Sequence, residues 1–262
     1  MIEKSMDGKI RVLSLSYGKD SMACLGAIEQ LGWTLDRIVT ADVWATDTIP
    51  ADLPPMVEFK DYADRVIKER YGIEVEHYTA KKVDRVCSEK VSYDSYFYQI
   101  MQSGKHIGTY KGFPMQRGNW CTKLKLSALS EMPKCDIQYL GIAADEPKRF
   151  HDLTDKKLSP LIEIGWSEAD CRLWCEENGL LSPIYTQSAR GGCWFCQCQG
   201  VQPLRLLRKQ YPDLWALLLK WDADSPVTFR ADGHTVHDFD RRFAAEDLGL
   251  VPTDRKFRWS MV

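Results

Sequence analysis

The chain has 262 residues, 44% of them hydrophobic and 27% charged, with a formal net charge of -2. This is the composition of a globular protein with one large core or a core and a smaller appendage, and it argues against a protein that coats nucleic acid through bulk charge. No run approaches the ~20 apolar residues of a membrane span, and the N-terminal segment is polar, without the apolar core of a signal peptide, so a cytoplasmic protein is expected.

Val12-Leu13-Ser14-Leu15 reads as a buried strand, and Met22 to Ile28 reads as a helix. Between them lies Ser16-Tyr17-Gly18-Lys19-Asp20-Ser21, a loop in which backbone N–H groups can converge on an anion. The helix N-terminus adds partial positive charge there, Lys19 adds a full one, and Asp20 and Ser21 are placed to cap the helix. The string has neither Walker-loop spacing nor the dinucleotide Gly-x-Gly-x-x-Gly pattern, and an ordinary strand-to-helix turn is the alternative reading.

Arg37 to Val43 reads as a second strand, ending in acidic and small residues that include Asp42. Pro50, Pro54 and Pro55 mark an irregular crossing, Met56 to Tyr71 has helical spacing with Gly72 as its stop, and Ile73 to Tyr78 alternates as a third strand. This alternation predicts parallel pairing in a doubly wound α/β sheet. Tyr93 to Tyr98 is aromatic-rich, and Ser103 to Gly118 is a loop with Lys105, Lys111 and Arg117, suited to lining a pocket. A helix is expected over Leu124 to Leu129, a fourth core strand over Ile137 to Ile142, and a short edge strand at Leu161-Ile162-Glu163.

Ser167 to Asp170 has the pattern of a capping box, and it leads into a helix that puts Cys171 and Cys175 on one face, read as core. Further helices are expected over Gln202 to Lys209 and Phe239 to Leu250, with a loop at Asp222 to Pro226. Trp and Cys become frequent beyond Gly165, which sets the expected division: an α/β domain over 1–165, and a Cys-containing, mostly helical region over 166–262 packed on it.

Nine cysteines without a secretory signal are read as reduced thiols. Gly191-Gly192-Cys193-Trp194-Phe195-Cys196-Gln197-Cys198 places a Cys-x-x-Cys pair in a glycine-led turn with a third thiol beside it. Cys121 is the candidate fourth ligand, and its neighbours Arg117, Lys123 and Lys125 favour a thiolate there. Thiolates suit an iron–sulfur cluster and zinc alike, with unliganded thiols as a third reading. Cys24, Cys87 and Cys135 are isolated and read as small buried hydrophobes, and the five histidines show no ligand spacing. Asp145-Glu146 suits magnesium, a ribose or a plain surface. Trp194 and Phe195 suit packing over the cysteines or stacking on a base. The basic clusters Arg205-Arg208-Lys209 and Arg255-Lys256-Arg258 read as solvated faces.

Ser16 to Ser21 resembles the PP-loop of ATP pyrophosphatases, Ser-Gly-Gly-x-Asp-Ser, with Tyr17 where the first glycine usually stands. Trp120-Cys121-Thr122 with Leu124-Lys125 resembles the central motif of phosphoadenylyl-sulfate-reductase-like proteins. Gly141-Ile142 through Asp145-Glu146 and Arg149 is similar to their Gly-Ile-Arg-x-Asp-Glu-x-x-Arg segment, with Ala143 in place of Arg. Pro160-Leu161-Ile162, Trp166, Pro183-Ile184-Tyr185 and Arg190-Gly191-Gly192-Cys193 match landmarks further along, so the resemblance spans Arg11 to Trp215.

The resemblance implies a Rossmann-like fold and an adenine nucleotide, ATP or adenylyl sulfate and its 3′-phosphorylated form, with Mg2+. It implies that Ser16, Tyr17, Gly18, Lys19, Asp20, Ser21, Asp42, Lys123, Lys125, Gly141 and Arg149 bind the nucleotide. Lys19, Asp20 and Cys121 would carry the chemistry, and Cys121, Cys193, Cys196 and Cys198 would hold a 4Fe-4S cluster, zinc being the alternative. The implied reaction is ATP-dependent sulfur transfer that releases AMP and pyrophosphate. Its partners would be a nucleic-acid or small-molecule acceptor, a sulfur donor or reductant, no membrane, and a second copy as a homodimer. Reduction of adenylyl sulfate is the alternative enzyme reading; the retained Lys19-Asp20-Ser21 and the lack of a cysteine after Cys198 favour the ATP-using branch. A non-catalytic nucleotide-binding subunit of a modification or defence complex is the alternative of another class.

Overall fold

The structure, a computed structural model, describes residues 2–104, 106–186, 191–254 and 256–262. Lys105, Arg190 and Arg255, singled out from the sequence, lie outside the described residues. In chain order the main elements are β1 (Arg11–Ser14), α1 (Lys19–Leu31), β2 (Arg37–Asp42), α2 (Pro54–Tyr71), β3 (Val75–Thr79), β4 (Lys82–Val83), β5 (Val86–Cys87), α3 (Tyr93–Phe97), α4 (Cys121–Ser130), β6 (Ile137–Tyr139), β7 (Lys157–Leu158), α5 (Pro160–Ile164), α6 (Glu168–Glu177), α7 (Val201–Gln210), α8 (Pro212–Asp224) and α9 (Val236–Asp247).

The chain divides into two compact units, each assembled from separate stretches. The first comprises Met1–Val43, Asp52–Lys81 and Lys125–Gly192; the second comprises Trp44–Ala51, Lys82–Leu124 and Cys193–Val262. The division expected near Gly165 therefore falls within a stretch that belongs wholly to the first unit.

The first unit is an α/β fold around a parallel sheet of order β3-β2-β1-β6-β7. From β1 the chain winds outward through β2 to β3, then returns to the other side of β1 at β6. The strand order thus reverses between β1 and β6, where doubly wound sheets open a crevice at their carboxyl ends. Register aligns Ile38, Leu13 and Tyr139 in one row across the sheet. All three are buried in a core cluster with residues of α1, α2, α5 and α6, while Val12 and Val39 alternate onto the opposite face.

Local signals explain most boundaries. Pro54 stands in the first turn of α2 and Gly72 ends it in a left-handed conformation, φ 70°. At α6 the Ser167 side chain accepts from the Asp170 amide while the Asp170 carboxylate accepts from the Ser167 amide, the capping box expected from sequence. Leu161-Ile162-Glu163 corrects an expectation: these residues lie in α5, because Pro160 opens a helical turn and Gly165 closes it at φ 76°. The edge strand is Lys157–Leu158 instead.

The second unit is mostly helical, with the two-stranded antiparallel β4-β5 ribbon. Its core is aromatic: Trp194 stacks on Trp221 at 5.6 Å, and Phe195 lies 4.3 Å from Tyr93 between ring centres. Trp194 and Phe195 are thus packing residues. The loop expected from Asp222 begins only at Ser225, because α8 runs on to Asp224. Arg205 pairs with Glu246, and Arg208 pairs with Asp240 and Asp247, so the two arginines of this basic cluster are neutralised by α9. Cys87 is exposed and Cys135 half-buried, contrary to the expectation for both, whereas Cys24, Cys171 and Cys175 are buried. Among the described residues no helix is long and apolar enough to cross a membrane.

Gly26 sets the closeness of α1 to α6. A Cβ there would meet the Trp174 ring, 2.2 Å from Nε1 and 2.4 Å from Cε2. Gly-to-Ala in a helix ordinarily gains up to ~1 kcal/mol, but overpacking costs ~1–3 kcal/mol. Gly26→Ala is therefore expected to lower the urea midpoint, and pairing it with Trp174→Leu to recover most of the loss.

Candidate functional site

The Ser16–Ser21 loop leaves the carboxyl end of β1 at the point where the strand order reverses. Ser21 ties it from within: its Oγ donates to the Gly18 carbonyl at 3.0 Å and accepts from the Ser16 amide at 3.1 Å. Gly18 is the N-cap of α1, and no side chain caps that helix. The expectation that Asp20 and Ser21 cap it is corrected, since both lie inside the first turn. The Lys19 amide instead donates to the Tyr185 hydroxyl at 3.0 Å.

Tyr17 takes a left-handed backbone, φ 56°, a conformation uncommon for a residue other than glycine. Its ring is fully buried, and its hydroxyl donates to Asp64 Oδ1 at 2.6 Å. Gly141, just beyond β6, lets that strand end approach α1. A Cβ there would sit 2.6 Å from the Ser21 amide nitrogen, so only glycine leaves the first turn undisturbed. Ala143, at the position where an Arg was the pattern, is fully buried in the core, where a long cation has no room.

Lys19 Nζ bonds Asp20 Oδ1 at 2.8 Å and Glu168 Oε2 at 2.9 Å. Burial opposes its charge, yet these two carboxylates outweigh burial and hold Lys19 above the usual lysine range. Burial raises Asp20, against the pull of Lys19. Glu168 and Tyr185 were not singled out as site residues. Their approach to Lys19 spans 149 and 166 residues and leaves no local mark.

Asp42, at the end of β2, belongs to a second polar group beside the loop. His77 sits between two carboxylates, with Nδ1 2.7 Å from Asp42 Oδ2 and Nε2 3.0 Å from Asp64 Oδ2. Lys60 reaches Asp42 at 3.2 Å and Asp52 at 2.7 Å. The hydrogen bonds to Asp42 and then Asp64 raise His77 from 6.5 to about 9, so it is an imidazolium at neutral pH. Burial opposes the Asp42 carboxylate, but His77 and Lys60 more than compensate and lower it. The spacing of the histidines does not point to His77, because its partners come from β2 and α2.

The remaining candidates are spread out. Arg149 is exposed and pairs with Glu146 at 3.2 Å, and Lys125 is exposed. Asp145 accepts from the Glu168 amide at 3.0 Å and Glu146 from the Ala143 amide at 3.1 Å, so both acids brace turns. Lys123 lies in the second unit, where Asp84 holds it at 3.1 Å.

Cys121, Cys193, Cys196 and Cys198 also lie in the second unit, and none is in a disulfide. The cysteine turn closes with the Cys196 amide on the Cys193 carbonyl at 3.0 Å, and the Cys198 amide donates to Cys196 Sγ at 3.4 Å. Gln197 anchors it: its Oε1 accepts from the Met115 amide at 2.6 Å, in the segment that leads to Cys121, and its Nε2 donates to the Phe229 carbonyl at 2.5 Å. Arg230 clamps the turn through the carbonyls of Gln197 and Gln199.

Three of the four thiols share a neighbour. Tyr93 is buried, its hydroxyl lacks a partner among the described residues, and its ionisation is opposed by burial and by Cys121, Cys193 and Cys196 around it. Cys198 is exposed and is not among them. Among the described residues no three His, Cys, Asp or Glu side chains form a ready metal cage. The soft sulfur donors of the Cys193–Cys198 turn, one of them accepting an N–H, are of the chemistry that a thiolate-ligated group uses.

No family model matches the chain, and no curated protein matches it. Among solved structures it is similar to the U34-tRNA thiolase NcsA from Methanococcus maripaludis with its 4Fe-4S cluster, at 14% identity and a TM-score of 0.39, covering 97% of this chain and 76% of that one. A likeness this remote transfers no residue's role.

The His77 group sets a pH dependence. Its raised folded pKa means that its contribution to stability is full below 6.5 and is lost as pH rises through about 9. The difference in urea midpoint between the wild type and His77→Gln is expected to be largest near pH 6 and to vanish toward pH 10. A difference independent of pH would contradict the imidazolium.

Proposed function

We propose that this chain is a PP-loop ATP pyrophosphatase-type enzyme that adenylates an acceptor and transfers sulfur to it. The observation that carries this reading is the loop's location: Ser16 to Ser21 stands at the carboxyl end of β1, where the strand order reverses, with Lys19 charged beside it. The left-handed turn at Tyr17 and the close approach of Gly141 to α1 support it further.

Backbone amides of the loop and first turn of α1 take the phosphates of ATP, and Lys19 exchanges Asp20 and Glu168 for phosphate charge. Mg2+ accompanies the triphosphate. An acceptor oxygen attacks the α-phosphorus, the bond to the bridging oxygen breaks, and pyrophosphate leaves with its electron pair. The adenylated oxygen is then a good leaving group, and a sulfur nucleophile displaces AMP. Cys121, Cys193 and Cys196, with Cys198 beside them, would hold an iron–sulfur cluster, which when bound supplies an iron able to carry sulfide. Gln197 and Arg230 fix the turn that presents two of these thiols.

Two measurements test the reading. Protein purified without oxygen is expected to contain iron and acid-labile sulfide, both lost in Cys193→Ala; zinc alone would make the centre structural. Pyrophosphate release from ATP in the presence of acceptor is expected to fall roughly 100-fold or more in Lys19→Ala. Tight ATP binding with no pyrophosphate release under any acceptor would leave a nucleotide-binding subunit instead.

A further inference from the structure

Arg117 inverts the usual arrangement of a long cation. Arginine ordinarily buries its aliphatic stem and keeps its head in water. Here the residue as a whole is partly exposed, while Nε, Nη1 and Nη2 each expose less than 1 Å² and have no hydrogen-bond partner among the described residues. Burial lowers its ionisation, and among the described residues no carboxylate supports the charge.

Four other guanidiniums of the second unit show the contrast. Arg205 and Arg242 pair with Glu246, Arg208 pairs with Asp240, and Arg230 donates to two carbonyls. Nor is Arg117 on a loose segment. It ends a short 3-10 turn, Met115–Arg117, closed by its own amide on the Pro114 carbonyl at 2.9 Å. The Met115 amide is held by Gln197, and Gln116 Nε2 reaches the Arg230 carbonyl at 3.3 Å. A charge held in place, dehydrated and unmatched is a cost that an external anion would remove.

We propose that Arg117 anchors an oxyanion subsite in the second unit, where its planar fork takes a phosphate or sulfate group through two parallel N–H···O bonds. This stands on the side-chain geometry, whatever the chemistry at the β1–α1 loop. The oxyanion is either free or part of a nucleotide, and the two sources present the same group to the fork.

The test is calorimetric titration of the full chain at low, chloride-matched ionic strength with inorganic phosphate and, separately, with ATP. The comparison proteins are Arg117→Met, which keeps the stem without charge, and Arg117→Lys, which keeps the charge without the fork. Phosphate affinity is expected to fall roughly ten- to hundredfold in Arg117→Met, with Arg117→Lys between. Ligand-free Arg117→Met should melt no lower than the wild type, because a stranded charge has gone. An Arg117-dependent signal with phosphate assigns a free oxyanion; one seen with ATP alone assigns a nucleotide phosphate. Equal affinities in all three proteins, no binding of either probe, or a ligand-free Arg117→Met that melts well below the wild type would overturn the subsite.

Discussion

The left-handed turn at Tyr17 is the constraint on which the β1–α1 junction depends. A side chain in that conformation costs ~1–2 kcal/mol, and here the cost is offset by burying the ring and bonding its hydroxyl to Asp64. Glycine would give the turn without strain but also without an anchor. With tyrosine, the loop is fastened to α2 through Asp64 and, through His77, to β3. Gly141 completes the junction from the other side by bringing the end of β6 onto the first turn of α1. The geometry of the loop is therefore set by four elements of the sheet and its helices, and only partly by its own six residues.

Charge is arranged differently in the two units. Beside the loop, cations and acids alternate: Lys60, Asp42, His77 and Asp64 form a chain in which each carboxylate is matched. Burial alone would neutralise such groups, so their charges persist only because they are paired. Around the cysteines the partners are neutral amides and carbonyls. Gln197 has both ends of its amide bonded, and Arg230 donates to two backbone carbonyls, so the turn is held through neutral groups. Among the described residues, the buried side-chain groups left without a hydrogen-bond partner lie in that unit, the Tyr93 hydroxyl and the Arg117 head among them.

Cys171 and Cys175 show how a motif-like spacing resolves into packing. They lie four apart on α6, buried, and burial pushes the Cys175 thiol up to about 12, far from a reactive thiolate. Cys175 instead donates to the Lys19 carbonyl at 3.3 Å and braces the first turn of α1. Cys87 and Cys135 show the reverse, since isolated cysteines read as core proved exposed or half-exposed. Burial of a single residue depends on where its element lies in the fold, which spacing along the chain does not record.

The sequence by itself determined the features whose causes are local. The order of strands and helices in the first unit, the capping box of Ser167 and Asp170, the glycine stop after Tyr71 and the short loop between β1 and α1 all follow from neighbours within a turn or two. The strand predicted at Leu161 failed locally as well, because Pro160 and Gly165 bracket a helical turn more strongly than three apolar-rich residues favour an edge. Tertiary structure alone decided which residues stand around that loop and which polar groups are stranded. Tyr17 and His77 meet across 60 residues, Lys19 and Tyr185 across 166, and the Arg117 head is buried with no hydrogen-bond partner among the described residues. Hydrogen bonding and burial act over a few ångströms in space, so partners that the sheet order brings together leave no signature in the spacing of the residues themselves.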